Sequence, residues 1–354
     1  MTAIRYILCL LGIVLAIPLL ALIVWAFKLP ITSSGKSYLV VGSLVVFGFI
    51  TAPRSHKQSL TLIFVGVLGF FLITVTRLIL TGQNQTSEIH MITLPAGNGP
   101  RWIGSAIDEQ DALIFGEELF HFIGGDSASE HDGLIPAFEA VYAEMGSQGM
   151  FPSPVINTYM NLQRPDAFDA VVIKPPQEPP AFGVIFLHGY MGNVTAQCWE
   201  IAQAVKESRC VTICPSTEWT GQWWQPGGHE ILKRTFAYLK EQEITRVYLG
   251  GFSNGGFSIG RLASELGDEK GLAGLIFIDG FMNGTGMRAL GLPVLIIEGT
   301  QDERVPRATA QSFADEIGDL GTYVEIDSDH FLIIKKPQQV QNAISTWLNY
   351  QTNP

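Results

Sequence analysis

Apolar residues along this chain fall into two regimes. From residue 4 to 27 they run almost without interruption, over a length sufficient to cross a hydrocarbon core as a helix. A shorter run follows over 38–52, and a third, again of spanning length, covers 60–80. Pro18 and the glycines within these runs are compatible with membrane helices, where neighbouring helices and side chains re-satisfy freed backbone groups. A cleaved secretory signal would account for the first run, with Arg5 ahead of it, but leaves the other two without a role. The expectation is a transmembrane region over 1–82 with about three helices. Basic residues flanking the runs are nearly balanced between the two sides. The signal-like start favours a cytoplasmic N-terminus, and an odd number of spans then puts the remainder of the chain on the non-cytoplasmic side.

After residue 82 the pattern breaks up. The stretch 83–169 reads as a connector and helical segment that packs on the following domain or partly covers its mouth. Glu117, Glu118, Leu119, Phe120, Phe122 and Ile123 suggest one amphipathic helix; Ile135, Phe138, Val141 and Tyr142 suggest another. His121, Asp126, Glu130, His131 and Asp132 crowd between them, but their spacing fits no ligand pattern, so a solvated polar loop and no metal are expected. Prolines such as Pro165, Pro175 and Pro176 mark turns. From 170 to 354 the period alternates between strand-like and helix-like. Strands are expected at 170–174, 183–187, 210–214, 275–278, 294–298 and 323–326, with helices at 196–206, 228–241, 307–317 and 338–349. That rhythm predicts an α/β domain whose mostly parallel sheet carries helices on both faces.

The chemistry is concentrated where those strands end. Gly251-Phe252-Ser253-Asn254-Gly255 joins a strand to a helix and fits G-x-S-x-G, a sharp turn that lifts a serine hydroxyl out of the sheet. Phe186-Leu187-His188-Gly189-Tyr190-Met191-Gly192-Asn193 follows another strand; its small residues let the backbone turn and free the Tyr190 N–H as an oxyanion donor beside that of Asn254. His188 itself sits too close to the strand to be the base and is expected to brace the loop. Asp302, in the turn after the strand ending near Glu298, is the acid candidate, preferred to Glu298 and Glu303. His330, past the last strand, is the base candidate, because imidazole exchanges protons near neutral pH. The chain order Ser253, Asp302, His330 matches that expected for such an elbow.

Composition narrows the partners. With 33 acidic against 22 basic residues and a formal net charge of −11, the chain cannot neutralise a phosphate backbone, which argues against nucleic acid. Its four cysteines lack zinc spacing and are expected as buried free thiols. Three of its seven tryptophans, Trp219, Trp223 and Trp224, share one loop at a strand end. There they could hold an acyl or aromatic group, pack the loop, or contact the bilayer interface.

The region from about 170 to 350 resembles the α/β-hydrolase superfamily, through His188-Gly189-Tyr190, the Ser253 elbow, Gly299-Thr300-Gln301-Asp302 with Val305-Pro306, and Asp329-His330. Within it the chain is most similar to the compact esterase, thioesterase and dienelactone-hydrolase-like branch, although dienelactone hydrolases have cysteine where Ser253 stands. The resemblance covers about half of the chain. It implies an acyl-enzyme mechanism on small-molecule or lipid acyl esters, with no cofactor and no metal. A prolyl-oligopeptidase-type peptidase shares the elbow but needs a propeller that the residues before 170 cannot supply. A non-catalytic scaffold or receptor is the reading from another class.

Overall fold

The computed structural model describes residues 2–352 except 85–86, 176–178 and 193–194; Pro176 and Asn193 lie outside the described residues. Three helices open the chain: α1 (Thr2–Ala26), α2 (Ser33–Thr51) and α3 (His56–Gln83). Each is long and apolar enough to cross a membrane. Both α2 and α3 extend beyond their apolar runs because polar residues cap them: the Thr32 hydroxyl accepts from Gly35 N–H and that of Ser55 from Gln58 N–H. Large apolar side chains such as Ile7, Phe64 and Phe71 stay exposed along the bundle, as expected of lipid-facing positions.

A polar seam ties this bundle to the rest of the molecule. Arg77, buried near the end of α3, pairs with Asp108 at 3.1 Å and donates to the Ser34 hydroxyl and the Ser105 carbonyl. Asp111 accepts from the backbone N–H and hydroxyl of Thr32 at 2.6 and 2.7 Å. The segment expected as a mere connector also supplies a strand. β1 (Ile89–Leu94) pairs antiparallel with β2 (Phe168–Ile173), so the sheet begins well before residue 170. Ile89, Met91 and Leu94 are buried, but with polar His90 and Thr93 between them the short run carries no strong strand signal. Helices α4 (Glu109–Phe122) and α5 (Leu134–Met145) follow β1 and carry the two amphipathic stretches.

The remaining elements alternate: β3 (Phe182–Leu187), α6 (Thr195–Val205), β4 (Cys210–Pro215), α7 (Pro226–Glu241), β5 (Val247–Phe252), α8 (Asn254–Arg261), β6 (Leu272–Ile278), β7 (Val294–Gly299), α9 (Arg307–Ile317), β8 (Gly321–Ile326) and α10 (Pro337–Thr352). The eight strands form one sheet in the order β1-β2-β4-β3-β5-β6-β7-β8. β2 is antiparallel to both its neighbours, and from β4 to β8 all pairs are parallel. Central strands are buried on both faces, and the two-residue period divides them cleanly. Val184 and Phe186 enter the core beneath α6 and α10, while Ile185 and Leu187 enter the core beneath α7 and α9.

The cysteine expectation is corrected here. Cys198 on α6 and Cys214 on β4 form a disulfide, leaving Cys9 and Cys210 free. The partners stand sixteen positions apart in sequence, so only the packing of a helix onto its sheet brings them together.

Candidate active site

Ser253 sits between β5 and α8 with φ 52° and ψ −119°, a conformation costly for a residue with a side chain. The flanking glycines make it possible: a Cβ on Gly251 would collide with the backbone of Gly255, and one on Gly255 with the Leu187 carbonyl. The Ser253 N–H is anchored on the Ile278 carbonyl at 2.9 Å. Its Oγ lies 3.0 Å from His330 Nε2.

His330 is buried in the turn after β8. On its far side Nδ1 meets Asp302 Oδ2 at 2.6 Å. Asp302 is fixed in turn, because its other oxygen accepts from the backbone N–H groups of Arg304 and Val305 at 2.7 and 2.9 Å. A carboxylate held this way selects the imidazole tautomer with the proton on Nδ1, leaving Nε2 free to accept from the serine. Glu303 is exposed, as expected, and Glu298 is buried on β7, where burial and then the nearby Asp302 charge push it up to about 7.

One acidic residue was not foreseen. Asp279, directly after β6, is fully buried and accepts from Gly299 N–H at 2.8 Å. An oxygen of Asp279, an oxygen of Asp302 and a His330 ring nitrogen lie within 4.8 Å of one another. Burial and then the neighbouring Asp302 carboxylate raise the Asp279 pKa well above the usual carboxylate range, which disfavours its charged form. Its signal, an aspartate ending an apolar strand, was present in the sequence.

Asn254 opens α8, so its N–H is one of the helix's unpaired first-turn donors. Its side-chain amide donates to the Thr220 carbonyl at 2.8 Å and ties the tryptophan loop to the elbow. Tyr190 lies in the turn after β3, its ring 5.0 Å from that of Trp219 and 6.2 Å from that of Phe120. Both residues line the cavity of about 510 Å³ into which Ser253 and His330 open. Phe120, Met191, Phe252, Phe257 and Phe331 give that cavity an apolar wall, and Glu117, Gly125 and Arg304 complete its rim. A hollow of about 650 Å³ at the opposite edge of the sheet, near Arg209 and Arg246, contains no member of the Ser253 cluster.

The tryptophan loop differs from the substrate wall it suggested. Trp223 is fully buried, with its indole N–H on the His188 carbonyl at 3.0 Å, and Trp224 packs under the Arg261 guanidinium. Among the described residues lining the cavity, none of Trp219, Trp223 and Trp224 occurs; the Trp219 ring lies 5.0 Å from that of Tyr190, which does line it. The apolar wall comes instead from α4 and the strand ends, which the local composition of one loop could not show.

His188 braces the loop. It is buried, Nδ1 donates to the Gly189 carbonyl at 2.8 Å and Nε2 accepts from Thr217 N–H at 3.2 Å. Burial pulls its pKa down to about 4. The folded protein therefore keeps it neutral across a range where the unfolded chain, with an ordinary value near 6.5, binds a proton. Its contribution to stability is complete above about pH 6.5 and is lost as pH falls through about 4, an effect of at most ~3 kcal/mol. His188→Phe is expected to remove that part of the acid dependence of thermal unfolding and to cost about 2 kcal/mol at pH 7.5 by orphaning the Thr217 N–H and Gly189 carbonyl. Parallel Tm curves for variant and wild type from pH 4 to 7 would contradict the bracing role.

The strand order, two antiparallel strands leading into parallel ones with the serine elbow after β5, decides the architecture. This is an α/β-hydrolase fold. No protein-family profile matches the sequence, and no curated protein matches it. Among solved structures the chain is similar to Est1E from Butyrivibrio proteoclasticus, at 18% identity, covering 53% of this chain and 96% of that one, with a TM-score of 0.44. It is similar also to the esterase domain of a Rhodothermus marinus protein, at 14% identity, covering 52% and 93%, with a TM-score of 0.45. A third is a thermophilic esterase from Thermogutta terrifontis, at 17% identity, covering 53% and 95%, with a TM-score of 0.43.

Proposed function

We propose that the protein is a membrane-anchored serine hydrolase that cleaves carboxylic esters or thioesters. The observation that carries this reading is the continuous contact from Ser253 Oγ to His330 Nε2 at 3.0 Å and from His330 Nδ1 to Asp302 at 2.6 Å. In the first half-reaction His330 Nε2 takes the hydroxyl proton as Ser253 Oγ bonds to the acyl carbon, and the carbonyl π electrons move onto the oxygen. The Asn254 and Tyr190 N–H groups hold that oxyanion while Asp302 stabilises the imidazolium. When the tetrahedral carbon collapses, the leaving alkoxide or thiolate takes the proton from Nε2. A water molecule then repeats the sequence against the acyl-serine, releasing the acid and restoring the Ser253 hydroxyl.

The cavity supports an apolar acyl group, since four phenylalanines, Met191 and Val305 line it and its volume lies in the range of small-molecule sites. A panel of nitrophenyl esters from acetate upward, with matched thioesters and aminoacyl nitroanilides, is expected to show turnover of the acyl esters and thioesters and little of the anilides. Preferential anilide cleavage would favour a peptidase. The three apolar helices and the polar seam support an integral anchor, with the catalytic domain beside the C-terminal ends of α1 and α3. Placement of that domain outside the cytoplasm is supported by the Cys198–Cys214 disulfide, because such bonds persist mainly in oxidising compartments. A membrane-impermeant serine-reactive probe is expected to label intact cells; labelling only after lysis would reverse the sidedness.

A further inference from the structure

Burial is inverted at the end of α4. Leu119, Phe122 and Ile123 are 56, 85 and 69% exposed, while the side chains of Glu117, Asp126 and Glu130, in the stretch expected as a solvated polar loop, turn inward. The His121 ring, 3.0 Å from Asp126 through Nδ1, stacks on that of His131 with 3.9 Å between centroids, which pins the turn from within. Against water the opposite arrangement is the stable one. We propose that this apolar face of α4 lies in the interface of the bilayer, and that the hydrolase site takes its acyl ester from there, as a membrane-resident lipid. The second half of the proposal rests on the serine-hydrolase reading; the first does not.

The placement follows from what α4 touches. Its first turn meets the cap of α2, where Gln110 donates to the Pro30 carbonyl at 2.6 Å and Asp111 accepts from Thr32. Its next turn meets the last turn of α1: Ile114 packs with Ala26 and Ile31, and the Phe115 ring lies edge-on to Trp25 at 5.9 Å. α4 therefore crosses the end of the three-helix bundle instead of standing up from it. At helical spacing Leu119, Phe122 and Ile123 continue the side of α4 that carries Phe115, outward past α1. An exposed apolar stripe continuous with the end of membrane-spanning helices fits a lipid surface. Trp102, 65% exposed, precedes the short helix whose Ser105 and Ala106 carbonyls accept from Arg77 and Tyr38 of the bundle, and tryptophan is enriched at that depth.

The other side of α4 is a wall of the cavity. Glu117 and Phe120 line the space into which Ser253 and His330 open, and Gly125, just beyond Ile123 in the chain, stands on its rim. The stripe and the mouth of the cavity adjoin. A lipid acyl chain would pass from the bilayer to the phenylalanine-lined wall between two apolar surroundings, with little exposure to water on the way.

The test uses the full chain reconstituted in phosphatidylcholine vesicles. Phe122→Cys, in a Cys9→Ser background that leaves only the buried Cys210 as another free thiol, is labelled with an environment-sensitive fluorophore. Its emission is expected to be quenched by doxyl groups on lipid acyl chains and shielded from iodide in the water. Quenching by iodide alone, or shielding from both quenchers by a second copy or another protein, would overturn the interfacial placement. In a Leu119→Ser, Phe122→Ser double variant, hydrolysis of bilayer-dissolved methylumbelliferyl oleate is expected to fall about tenfold, with turnover of nitrophenyl acetate from water changed by less than about twofold. Equal losses on the two esters, or no loss on either, would overturn the lipid substrate. No turnover of nitrophenyl acetate by the wild type would overturn the hydrolase reading and the lipid substrate with it, while the quenching still decides the placement.

Discussion

Ser253→Ala is expected to lower kcat/KM on a short-chain nitrophenyl ester by roughly 10⁴-fold or more, down to the level that oxyanion donors and binding alone sustain. Its fold should be unaffected. Among the described residues the Ser253 Oγ makes one hydrogen bond, with His330 Nε2, and alanine tolerates the elbow backbone as well as serine does, so the Tm should move by no more than about 2 °C. Unchanged Tm with collapsed activity separates chemistry from stability. Retained activity with the same Tm would remove Ser253 from the mechanism.

The second large effect distinguishes the two buried aspartates. In Asp302→Asn the amide oxygen must face the Arg304 and Val305 N–H groups, which both donate to one oxygen of the native carboxylate. The NH₂ group is then left facing His330 Nδ1, where the second oxygen stood. An NH₂ donor there forces the proton from Nδ1 to Nε2, so the ring presents a donor to a hydroxyl it should deprotonate. The expected loss is about 10⁴-fold in kcat near neutral pH with the geometry kept. Asp279→Asn should cost less than about tenfold, since burial disfavours a charge at Asp279 and an amide is a neutral group of the same shape. Comparison of kcat for the two variants decides the matter. A collapse in Asp279→Asn with Asp302→Asn near wild type would move the acid role from β7 to β6.

The parallel sheet and the three residues expected to act together were legible in the sequence for different reasons. Strands buried on both faces, such as β3 and β7, appear as short unbroken apolar runs. Ser253, Asp302 and His330 each follow such a run, so a topological rule sufficed to bring them to one edge. What failed to appear depended on contacts between layers. The pairing of Cys198 with Cys214, the burial of Trp223 behind His188 and the cavity wall from Phe120 all join segments whose separation in sequence carries no periodic mark. β1 was hidden by its brevity, and the stacking of His121 on His131 beside Asp126 could not be read from spacing, because a turn at Gly124 and Gly125 folds two short segments together. Asp279 was the exception: it ends a strand as Asp302 does, and the same topological rule would have found it.

The most direct test of the central claim is peptide mapping by mass spectrometry after treating native membranes with a fluorophosphonate. The account predicts a single phosphonylated residue, Ser253, with labelling lost in His330→Ala, because the hydroxyl is nucleophilic only when Nε2 takes its proton. An adduct on another residue, or labelling of Ser253 that persists undiminished without the His330 imidazole, would contradict it.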